Sequence, residues 1–133
     1  MAPEHPGLTE ADVIAHGGWH PRYARVLALA SDGDHGFAVV DGNGDGAELE
    51  QELWSWDEGA WVSGISSGAG PLEHLESICA GGEHDAARFA YGRAPGRRLV
   101  KISFGGRVHE VPVGRDGIWA FIKAGTAGMP RLA

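Results

Sequence analysis

A chain of 133 residues, 43% hydrophobic and 22% charged, has the size and balance of one globular domain, long enough to fold without a metal or disulfide staple. Its net charge of −7 opposes a nucleic-acid partner, and its single cysteine, Cys79, allows no internal disulfide. No apolar run approaches the ~18 residues of a membrane helix, and "MAPEHPGLTEADV" lacks the basic and apolar regions of a secretory leader, so a soluble cytoplasmic protein is expected.

The elements follow in order. "GLTEADVIAHGG" predicts a short helix, with Thr9 as N-cap, Asp12 in the capping-box position, Leu8 and Val13 as the hydrophobic staple and Gly17 at C′. Pro21 then disfavours helix at His20. From Tyr23 the pattern turns to strands: "YARVLALA", "GFAVV" after the turn-forming "SDGDHG", "ELEQELWSW", and "AWVSGIS" across the short loop "DEG". "PLEHLESICAGG" breaks the series. Leu72, Leu75, Ile78 and Cys79 share one helical face, Pro71 suits N1 and Gly81 suits C′, which predicts a helix over 71–80. Four further strands follow: "ARFAYGR", "RLVKISF", "RVHEVPV" and "GIWAFIKA". Gly105–Gly106 and "GRDG" at 114–117 are the expected hairpin turns, and "GTAGMPRLA" is a loose end or an edge. The 22 glycines, mostly between apolar runs, punctuate many short strands.

Charge is split along the chain. Residues 1–85 hold two Arg against 16 Asp or Glu, a balance of −14; residues 86–133 hold nine Lys or Arg against Glu110 and Asp116, a balance of +7. The basic residues alternate with apolar ones, as in "RRLVKISF", so they belong on solvent faces of strands, with an acidic half packed beside a basic half.

The most motif-like stretch is "DGNGDGAELEQE". Asp41, Asn43, Asp45, Gly46 and Glu52 satisfy every position of the EF-hand loop, and such short oxygen-bearing side chains converge well on calcium. Yet β-branched "GFAVV" leads in and an alternating run leads out. In that register Leu49, Gln51 and Leu53 occupy one side and Glu48, Glu50 and Glu52 the other. An extended 48–56 carries Glu52 away from Asn43. The readings are a hairpin turn, a calcium turn built on Asp41, Asn43 and Asp45 with carbonyls, or an EF-hand. "GISSG" fits the G-x-S-x-G nucleophile elbow, with Ser66 as nucleophile, but the parallel sheet that fold needs is absent from the pattern. Ser66, Ser67, Gly68 and Gly70 also lead toward the expected helix, where free N–H groups favour an anion or a cap. His74, Cys79, His84 and Asp85 cluster in sequence without a zinc-ligand spacing. His109, between Val108 and Glu110, is a candidate general base.

Five Trp residues are the last cue. Trp54 and Trp56 share one side of a strand, and Trp61 lies just across the hairpin. Leu49 and Leu53 take the opposite side, so this strand is either buried on both faces or covers a partner.

The expected fold is mostly β. It is an antiparallel sandwich or small barrel of about eight strands, with a short N-terminal helix and one short inserted helix. One domain spans 1–133, with helix and loop at 1–22, the β-domain at 23–124 and a tail at 125–133. The expected role is a non-catalytic interaction or ligand-binding domain. Trp54, Trp56 and Trp61 form its surface for a protein, a small apolar ligand or a second copy of the chain. The alternatives are a small β-barrel enzyme using acid/base chemistry on an apolar metabolite, with His109 or Ser66 as catalytic group, and a calcium-binding module; no other cofactor is implied.

Overall fold

The computed structural model describes residues 5–75, 80–84, 86–125 and 128–133. Helix α1, Glu10–His16, starts where the sequence places it. The Thr9 side chain accepts the Asp12 N–H while the Asp12 carboxylate accepts the Thr9 N–H, closing a reciprocal capping box. Leu8 and Val13 are both buried on the same apolar cluster, as a staple requires. The helix ends one residue later than expected: Gly17 is the C-cap, and Gly18, with φ of 75°, takes the left-handed position.

The first sheet is a meander of four antiparallel strands: β1 (Arg25–Asp32), β2 (His35–Asp41), β3 (Leu49–Asp57) and β4 (Ala60–Gly70). Glu58 and Gly59, both with positive φ, make the two-residue turn between β3 and β4. The second sheet orders β5 (Ala80–His84), β6 (Ala87–Arg93) and β9 (Ile118–Ala124). The third orders β10 (Arg131–Leu132), β7 (Leu99–Phe104) and β8 (Arg107–Pro112). All pairings are antiparallel, and the sheets form a sandwich-like arrangement with no closed barrel.

Strand alternation builds three apolar layers. On β2, Phe37 and Val39 face the second sheet, while Ala38 and Val40 face α1. On β9, Ile118, Ala120 and Ile122 face the first sheet, while Trp119 and Phe121 face Val100, Ile102 and Phe104 of β7. The order is therefore α1, first sheet, second sheet, third sheet, with the two inner sheets buried on both faces. A bulge at Leu27 turns both Leu27 and Ala28 to the same inner layer. On β7 the pattern is the anticipated one: Val100, Ile102 and Phe104 are buried while Lys101 and Ser103 are exposed.

Two local expectations change, and the tail takes one of its two expected forms. The helix expected over 71–80 is one 3-10 turn at Leu72–His74. Leu75 is already extended, 76–79 lie outside the described residues, and Ala80 begins β5. Few apolar anchors precede Gly81–Gly82, too little to repay helix nucleation, and 80–84 gain a strand ladder with β6 instead. The "GRDG" stretch is no hairpin turn: β8 pairs with β7 and β9 with β6, so 114–117 carry the chain between sheets. A Cβ at Gly114 would collide with the Leu27 carbonyl, so glycine permits this close crossing. The tail forms a short edge, with Arg131 and Leu132 opposite Ser103 and Ile102.

Candidate functional site

The first sheet gathers most of the residues singled out by sequence. Strand β3 is its centre. Leu49 and Leu53 enter the layer against the second sheet, and Gln51 Nε2 donates to the Tyr91 hydroxyl at 3.4 Å. Trp54 and Trp56 enter the opposite layer with Trp61. Of the two arrangements the sequence left open, β3 takes burial on both faces.

The face carrying the tryptophans is covered by the chain itself. Trp54 and Trp61 are 1% and 2% exposed, and Trp56 stays half-buried. Residues 5–8 lie across them as a strap. The His5 ring stacks on Trp56 with centroids 4.1 Å apart and 3° between planes. Trp61 Nε1 donates to the Pro6 carbonyl at 3.1 Å, and the Leu8 N–H donates to Ser31 Oγ. His5 Nδ1 lies 3.0 Å from the Pro6 carbonyl and Nε2 lies 2.7 Å from Asp34 Oδ1. Both partners are pure acceptors, so the doubly protonated ring suits them best. The Pro6 carbonyl first, then Asp34, raise the His5 pKa above its ordinary value.

Beneath this layer lies an acid that the sequence reading did not single out as buried, Glu52, which shares its strand parity with Trp54. Glu52 is 2% exposed, and its Oε1 accepts the Trp19 indole N–H at 3.1 Å. Trp19 reaches it by lying flat over Gly42, where any Cβ would meet the ring. Burial pushes the Glu52 carboxyl above the ordinary carboxylate range. The Trp19 and Trp54 N–H groups pull it back, and the Glu50 charge pushes it up again. The Trp54 Nε1 comes near this carboxylate without meeting hydrogen-bond geometry, and counts as a buried donor lacking a partner.

Asp41 is also fully buried, with a different solution. Its two oxygens accept the N–H groups of Gly44 and Gly46 at 3.0 and 2.8 Å, closing the β2–β3 loop. Asp45 accepts the Ala47 N–H, and Asn43 is exposed. Glu52 stands opposite Ala38 on β3, whereas Asp41 stands opposite Leu49. Strands flank the loop on both sides, so it is not an EF-hand. No group of three or more His, Cys, Asp or Glu side chains placed to hold a metal occurs among the described residues.

The remaining candidates are dispersed. "GISSG" lies inside β4 rather than at a strand–helix turn, which removes both the elbow and the anion site at a helix start. Ser66 Oγ donates to Glu50 Oε2 at 3.2 Å. His109 sits in the third sheet, with Nε2 3.3 Å from the Phe104 carbonyl and its ring 5.4 Å from Phe121. Glu110 points to the other face, opposite Lys101.

What sequence alone does not expose is the state of β4. Its strand partner among the described residues is β3; its other edge meets α1 near Trp61, whose carbonyl lies 3.1 Å from His16 Nδ1. From Val62 onward no described strand pairs with that edge. Its eleven residues carry no charge, and Val62 and Ile65 are 47% and 54% exposed. Two bulges, at residues 64–65 and at Ala69, interrupt its register. No helix among the described residues is long and apolar enough to cross a membrane. No protein-family profile matches the chain, and comparison with curated proteins and with solved structures finds no match.

Proposed function

We propose that this chain is a non-catalytic protein-interaction domain that docks an extended segment of a partner along β4. The uncharged open edge of β4 carries this reading. Edge strands offer a row of free N–H and C=O groups, and proteins usually blunt them with charge, proline or cover. Here the edge has no charge or proline and, among the described residues, no covering strand from Val62 to Gly70; its two bulges are its only guard, and they confine an incoming strand to the run Ser66–Gly68 beside exposed Val62 and Ile65. Main-chain bonds would supply affinity and the two apolar side chains selectivity. The catalytic alternative has less behind it, since Ser66 and His109 stand in different sheets and each already has a partner. The calcium alternative is weakened because Asp41 is already satisfied by its own loop. The single cysteine suits a reducing, cytoplasmic setting.

Selection of displayed random peptides on the immobilised domain tests this reading. Peptides with alternating apolar residues should be enriched, and Ile65→Lys should abolish their binding without lowering Tm. A concentration-dependent dimer that Ile65→Lys dissolves would assign the same edge to a second copy. Binders indifferent to Ile65→Lys and Val62→Lys would refute the edge.

A further inference from the structure

A cleft of about 370 Å³ lies between the β6–β7 loop and the short β10 edge. Its lining includes Arg93, Arg97 and Lys101 with Pro95, Val100 and Leu132, and no acidic side chain. That volume falls in the range of small-molecule sites, which pair apolar walls with a few placed polar groups.

Surface clefts of this size also arise where loops merely meet. Three cations line this one together. Arg25, Arg115 and Lys123 are each held by a carboxylate, of Asp116, Glu10 and Asp32. Arg93, Arg97 and Lys101 have no carboxylate within ion-pair distance among the described residues, in a protein whose overall charge is −7. Arg93 gives Nη1 to the Leu72 carbonyl at a long 3.4 Å, and its Nε is buried without a partner. Leu132, 41% exposed, adds an apolar wall, and β10 is tied in place by the Ala133 N–H donating to the Lys101 carbonyl at 2.9 Å.

We infer that this cleft binds a small organic phosphate monoester, its dianion held by Arg93, Arg97 and Lys101 and its apolar body against Pro95, Val100 and Leu132. Two guanidinium forks match phosphate oxygens in a way single ammonium groups do not. Side chains of one sign gathered in a cleft also concentrate counter-ions, and Glu110, opposite Lys101, is outside the lining.

The probe is phenyl phosphate, titrated by calorimetry and by amide NMR shifts against inorganic phosphate and benzoate. Phenyl phosphate should bind saturably and shift the amides of Val100 and Lys101. Its affinity should exceed that of either comparison anion by about ten-fold, roughly what one charge-assisted contact or a buried ring supplies. The exposed pair Arg97→Ala with Lys101→Ala should weaken it by at least about ten-fold on the same grounds. Arg25→Ala, outside the cleft, should leave it unchanged. Absent saturation, indifference to the double substitution, or equal binding of inorganic phosphate or benzoate would each overturn the assignment.

Discussion

Asp41 and Glu52 are both buried carboxylates in one sheet, yet they face opposite energetic situations. Asp41 has two backbone donors, and each hydrogen bond to a charged group is worth about 1.5–3 kcal/mol. Glu52 has one indole donor at good geometry and a desolvation cost that raises its pKa. The folded state therefore holds the Glu52 proton more tightly than the unfolded chain does. Its contribution is neutral below the ordinary carboxylate pKa and becomes a penalty as pH rises through the elevated folded value. Opposite signs follow for two near-isosteric changes, read as denaturation midpoints. Asp41→Asn should destabilise by about 1–3 kcal/mol, with or without calcium. Glu52→Gln should stabilise by about 1 kcal/mol at pH 7, an advantage that disappears toward pH 4. An unaltered pH profile for Glu52→Gln would contradict the buried-acid description.

At the scale of elements, the strap of residues 5–8 is the least conventional piece. It has no regular structure of its own; a stacked ring, one indole N–H, the Leu8 N–H on Ser31 Oγ, buried Leu8 and an ion pair hold it. His5 has a raised pKa, so its contribution is complete below the ordinary histidine value and is lost as pH rises through the folded one. Tryptophan emission should change over that window, as Trp56 loses its imidazolium cover, and Asp34→Asn should shift the transition to lower pH. Emission constant from pH 6 to 8.5 would show that the ion pair does not fasten the strap. Much of the rest was legible in sequence. The capping box over Thr9–Asp12, the eight strands from β1 to β4 and β6 to β9, and the Gly105–Gly106 turn follow from local chemistry. β5 was hidden because "AGGEH" has no alternation and gains order only from pairing with β6. The 71–80 helix failed for the complementary reason, a helical spacing too short to stand without tertiary support. The tryptophan layer was legible as to face, but not its cover, because "EHPGL" has no periodicity to reveal a strap. Glu52 could have been placed from its parity with Trp54; its partner Trp19, far away in sequence, could not.

The whole molecule shows why the charge split matters. Glu10, Arg25 and Asp32 from the acidic half pair with Arg115, Asp116 and Lys123 from the basic half, so all three pairs cross between halves. These pairs are substantially exposed, and each contributes at most about 1 kcal/mol. Orientation comes from them, and cohesion comes from the layers on either face of the inner sheets. Among the described residues β4 is a margin of this stack with no strand beyond it, while β1 at the other margin of the same sheet is tied to β9 through Asp32, whose Oδ2 accepts the Ala124 N–H at 2.8 Å. Amide hydrogen exchange followed residue by residue measures that margin directly. Phe37–Val40 and Trp119–Ile122 should exchange among the slowest, while those β4 amides between Val62 and Gly70 that do not bond to β3 should exchange within the dead time. Uniform slow exchange along β4 would mean that the edge is already covered, and would contradict the docking surface on which the proposed function rests.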